Sequence, residues 1–143
     1  MAKSIIPIEI IELEEESFHL FIEVGFGKHK TGNLIIDTGA SKTVFDKSFV
    51  KEWIIDHQIR KENITSSGIN NAIDDIEFVI LESIRFKELI IENFATATMD
   101  LSHINAIYEN FGNRHIAGLI GSDFLLKYNA TISYKAKHLI IEY

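Results

Sequence analysis

Apolar residues in this chain mostly alternate with polar ones or run in short bursts, and only a few stretches have helical spacing. That pattern predicts a protein built mainly of strands. Ile6 to Ile11 and Phe18 to Gly25 flank an acidic turn, Glu12 to Ser17, and predict an opening hairpin. Pro7 fits the edge of its first strand, because proline has no N–H to give a ladder. A second turn is expected over Gly25 to Asn33, followed by a short buried strand, Leu34 to Ile36, that stops at Asp37.

Phe45 to Ile55 carries apolar residues at helical intervals and predicts a short helix. Ile64 to Val79 reads as two extended arms around SSGINNAIDD, where Gly68, Asn70 and Asn71 tolerate the left-handed backbone of a tight turn. This is a candidate flap. Glu77 to Leu81, Ser83 to Phe86, Leu89 to Ile91 and Phe94 to Met99 predict short strands, and Ser102 to Phe111 a helix capped by Ser102. Ile116 to Ile120 predicts a buried strand and Ser122 to Tyr128 a short Ser-capped helix. Ala130 to Tyr134 and His138 to Tyr143 predict closing strands.

With 143 residues, the chain is expected to form a single domain over 1–143, with a core sufficient to fold without staples. It has no cysteine, which removes disulfides, thiolate nucleophiles and sulfur-ligated metals. A net charge of −7 without a basic stripe argues against a nucleic-acid partner. The N-terminal apolar stretch is broken by Glu9 and Glu12, unlike a secretory leader, and no apolar run reaches the ~20 residues of a membrane span. A cytoplasmic chain with no membrane segment is expected. Its 6 histidines lack metal-binding spacing, so no metal site is expected either.

The chemistry is concentrated in LIIDTGASKTVF, Leu34 to Phe45, where an apolar strand delivers Asp37 into a Thr-Gly turn. A lone Asp-Thr-Gly is weak, since Asp and Gly are common in turns after strands. Context sharpens it: the carboxylate ends a β element, and Gly39 lets the backbone approach and offer an N–H. The Thr38 hydroxyl can satisfy a buried loop, and Ala40 is small enough to leave room for a ligand. A second stretch, AGLIGSDFL, Ala117 to Leu125, runs apolar to Gly121 before a helix. A Ser-His-Asp triad through Ser41 or Ser122 has no nucleophile-elbow motif behind it.

Together these stretches, with the closing YNATISYKAKHLIIEY, resemble the retropepsin-like aspartic proteases over about a third of the chain. The resemblance implies a mainly β, retropepsin-like acid-protease half-barrel with short helices, one lobe per chain. It places Ile35 and Ile36 beside Leu119 and Ile120, with Gly121 admitting the close crossing. Asp37 is then catalytic, Thr38, Gly39 and Gly121 support its loop, and Ala40, Ser41, Gly68, Ile69 and Asn70 contact substrate.

Only one such motif occurs, yet the chemistry needs two carboxylates. The resemblance therefore implies a symmetric homodimer hydrolysing peptide bonds without cofactor or metal. Two departures stand out: Ser41-Lys42 replaces a pair of acids found in retroviral members, and the flap tip carries Asn70-Asn71 in place of further glycines. These keep open the alternative of an inactive retropepsin-fold module for dimerisation or peptide binding.

Overall fold

The structure, a computed structural model, describes residues 1–58, 76–112 and 114–143. The strands are β1 (Lys3–Pro7), β2 (Glu9–Glu14), β3 (Ser17–Phe26), β4 (Lys30–Ile36), β5 (Val44–Asp46), β6 (Ile54–Gln58), β7 (Glu77–Phe86), β8 (Leu89–Met99), β9 (Ile116–Ile120), β10 (Thr131–Ser133) and β11 (His138–Glu142). Among the described residues, three helices join them: α1 (Lys47–Val50), continued by a 3-10 turn over Lys51–Trp53, α2 (Ser102–Gly112) and α3 (Ser122–Lys127).

The larger sheet has 8 strands in the order β2-β3-β4-β9-β5-β8-β7-β6, and β3 also pairs with β7 through Gly25↔Arg85 and Phe26↔Ile84. That pairing closes β3, β4, β9, β5, β8 and β7 into a ring. The interior is filled by Ile22, Phe26, Leu34, Phe45, Leu81, Ile84 and Ile120, none more than 1% exposed. A sheet of 3 strands, β1-β11-β10, gathers the two ends of the chain. Pro7 ends β1, an edge strand whose one partner is β11, where a missing donor costs least.

The mainly β architecture matches the expectation, and the departures from it are local. Ile6 to Ile11 is not one strand, because β1 joins the terminal sheet while β2 forms the hairpin with β3. The turns are tighter than predicted: strand structure leaves only Glu15 and Glu16 in the first and residues 27–29 in the second. Gly27 adopts φ +58, and a Cβ there would lie 2.5 Å from Trp53 Nε1, so both backbone and packing require glycine.

The helix expected over Phe45 to Ile55 shrinks to α1 and the 3-10 turn, because Phe45 is spent in β5 and Ile54 begins β6. The four short strands expected between Glu77 and Met99 are two long ones. The polar Glu82 and Asn93 interrupt the pairing between Leu81↔Phe94 and Ser83↔Glu92 without shifting the register, and Asn93 has φ 51. Ser102 lies inside α2, and Asp100 Oδ1 accepts its N–H at 2.9 Å. That bond holds the Asp100 carboxyl below the usual carboxylate range. Ser122 likewise does not cap α3, whose cap position is Gly121. The predicted flap, with Gly68, Ile69 and Asn70, lies outside the described residues.

Candidate active site

β4 is buried along Leu34, Ile35 and Ile36 because both its faces are covered. Leu34 and Ile36 point into the ring, while Ile35 joins Phe21 and Ile116 in a second cluster beneath Tyr108 and Leu119. β4 runs parallel to β9 with Ile35↔Leu119 and Ile36↔Ile120, the pairing that the resemblance implied. The ladder extends one residue further: Asp37 N–H donates to Ile120 O at 2.9 Å. The strand pair therefore carries Asp37 to its own end and releases its side chain there.

The loop beyond is held by its own short bonds. Gly39 N–H donates to Asp37 Oδ1 at 3.1 Å, Ala40 N–H to Asp37 O at 3.1 Å, and Ser122 N–H to Ala40 O at 2.8 Å. A backbone donor fixed on one carboxylate oxygen orients the group. Asp37, Thr38, Gly39 and Ser41 are exposed and Ala40 is half-buried. Gly121 is buried against the loop, where a Cβ would lie 2.7 Å from Lys42 C and 2.8 Å from Ala40 O.

Thr38 is exposed in the single chain, and a buried hydroxyl behind the loop is that of Thr43, which is 3% exposed. Its Oγ1 accepts Gly121 N–H at 3.0 Å and donates to Asp123 Oδ1 at 2.7 Å, while its own N–H reaches the same oxygen at 2.9 Å. Thr43 and Asp123 both lie within the two informative stretches. The signal that would have singled them out is the buried Gly121 N–H, which must have a partner.

Asp37 and Thr38 also line a pocket of about 540 Å³ with Phe18, His19, Ile104 and Tyr108. Burial pushes the Tyr108 hydroxyl up from its ordinary value, and the Asp37 charge adds to the rise. Nothing local in the sequence could have joined Tyr108 to Asp37, since α2 reaches the site only through tertiary packing. Among the described residues, no group of three or more His, Asp or Glu gathers as a metal site would require. Nor is any helix there long and apolar enough to cross a membrane.

A family model described as aspartyl protease matches residues 22–124, which include the Asp37 loop, β9 and the start of α3. Among solved structures, the chain is similar to the retroviral protease-like domain of Ddi1 from Leishmania major, at 14% identity and TM-score 0.55, over 86% of this chain and 87% of that one. It is also similar to a retropepsin-like aspartic protease from Rickettsia conorii, at 14% identity and TM-score 0.52, over 99% of this chain and 90% of that one. No curated protein matches it significantly in sequence. At that identity the solved structures speak to the fold and the family match to descent: the chain belongs to the aspartyl proteases and has their retropepsin-like fold.

Proposed function

We propose that the protein is an aspartic endopeptidase active as a symmetric homodimer, with Asp37 from each chain forming the catalytic pair. The observation that carries this reading is an exposed Asp37 at the end of a buried strand pair, oriented by Gly39 N–H, in a chain with one such motif. An exposed carboxylate on a rigid loop is half of a site. A two-fold axis beside it supplies the other half without any new residue.

Two carboxylates brought within a few ångströms share one proton, an effect for which the handful of well-studied aspartic proteases is the standard case. The charged member takes a proton from water as the water oxygen attacks the scissile carbonyl carbon. The protonated member donates to the carbonyl oxygen. Collapse of the tetrahedral species breaks the C–N bond, and the proton taken from water passes to the leaving amine. In this scheme Thr38, Gly39 and Gly121 support the loop, and Ala40 and Ser41 flank the peptide. The step itself needs no metal or cofactor.

The test is cleavage of a diverse peptide library from about pH 3 to 8, a range that brackets an acid pair, by wild type and Asp37→Asn, with oligomeric state and folding followed in the same samples. Asp37-dependent cleavage by a dimer is the expected result. A folded dimer that binds peptides and cleaves none would overturn it in favour of a binding module.

A further inference from the structure

The pocket beside Asp37 has a polar centre set in an apolar wall. α2 forms one side and is pinned in place: the buried Asn105 donates through Nδ2 to Ile116 O at 3.1 Å, and its Oδ1 accepts Ile116 N–H. Ile104 and Tyr108, one helical turn apart, therefore face the pocket together. Tyr108 Oη lies 3.0 Å from His19 Nδ1, and the two rings meet edge to face with centroids 5.4 Å apart. The other ring nitrogen of His19 lies 3.3 Å from Ser17 Oγ. Leu20, Ile36, Leu119 and Ile132 complete much of the wall, and among the described residues lining it none is Lys or Arg.

The Ser17–His19–Tyr108 chain can run in either direction. If His19 carries its proton on Nε2, it donates to Ser17 and accepts from Tyr108, which leaves a tyrosine lone pair open. If the proton is on Nδ1, His19 donates to Tyr108, which frees the hydroxyl hydrogen. Either way Tyr108 keeps one hydrogen bond to offer the pocket, as donor or as acceptor. The apolar wall favours a bulky apolar body, while Asp37, with no Lys or Arg among the described lining residues, disfavours an acidic one.

We propose that Tyr108, held by His19, determines substrate specificity, selecting beside the scissile bond a side chain with an apolar body and an uncharged polar tip, such as tyrosine. This rests on the peptidase reading above. It assigns α2 a part in choosing the substrate and no part in the chemical step.

The test compares kcat/KM on paired peptides that differ only by Tyr or Phe at that position, using wild type, Tyr108→Phe and Ile104→Ala. Wild type is expected to prefer Tyr by about fivefold, the worth of one net hydrogen bond. In Tyr108→Phe the ratio falls to about one, and in Ile104→Ala it persists while larger side chains such as Trp gain. An unchanged Tyr-to-Phe ratio in Tyr108→Phe overturns the proposal. Should that variant not fold, an unchanged size preference in Ile104→Ala overturns it. Loss of the peptidase reading looks different: wild type then cleaves neither peptide, or Asp37→Asn cleaves both.

Discussion

Gly121 and Thr43 brace the Asp37 loop from below, and each can be tested by one substitution. A side chain at Gly121 meets backbone atoms of Lys42 and Ala40, which cannot rotate away. Gly121→Ala should therefore cost about 1–3 kcal/mol or more, as overpacking of a close-packed site does, read as a lower urea midpoint. Thr43→Val keeps the shape but leaves the buried Gly121 N–H without its acceptor. A loss of about 1–3 kcal/mol is expected, with Thr43→Ser retaining most of the stability. Tyr108 gives a pH-dependent check. Its folded value lies above the ordinary 10.0, first through burial and then through Asp37. The stability it contributes is whole below about pH 10 and is lost as pH rises through the raised folded value. In Asp37→Asn the smaller, electrostatic cause disappears. The Tyr108 titration, followed by tyrosinate absorbance with Tyr108→Phe as reference, should move down yet stay above the ordinary value. Asp37 and Gly121 were legible in the sequence because a buried run ending at a small or acidic residue is a local pattern. The Thr43–Asp123 bond was not, because its partners lie 80 positions apart.

Among the elements, α2 forms one side of the candidate pocket, and Asn105 ties it to β9. Asn105 satisfies both the N–H and the carbonyl of Ile116, a residue with no exposure at all. Asn105→Leu is nearly isosteric but strands both groups, so a loss of about 2–4 kcal/mol is expected. The urea midpoint should fall with an unchanged slope, the sign that stability and not compactness has changed. Faster amide exchange concentrated in α2 and β9 would locate the damage. Helix α2 itself was readable from its periodicity, and so were most strands. What failed was their extent. Glu82 and Asn93 look like strand ends because polar pairs commonly are, yet the ladder resumes beyond them in the same register. Similarly, Phe45, Phe49 and Trp53 have helical spacing while belonging in turn to β5, α1 and the 3-10 turn; their rings still pack around Phe26 at 5.3 to 5.9 Å.

At the scale of the molecule, closure of the ring depends on the two residue pairs between β3 and β7, too short a contact to leave a trace in sequence. The count of Asp-Thr-Gly motifs, by contrast, is plain in the sequence: one per chain cannot by itself make a pair of carboxylates. If activity belongs to a symmetric dimer, it must follow the statistics of pairing. Mixing equal amounts of wild type and Asp37→Asn under exchange leaves about a quarter of the dimers with both aspartates, because each place is filled independently. If each chain worked alone, half the activity would remain. The measurement is initial rate against the fraction of Asp37→Asn at fixed total protein, with subunit exchange checked by a size-distinguishable tag. A quadratic fall is expected, together with a loss of specific activity on dilution below the dimer dissociation constant. A linear fall would place a complete active site within one chain and send the search for the second carboxylate back to the chain itself.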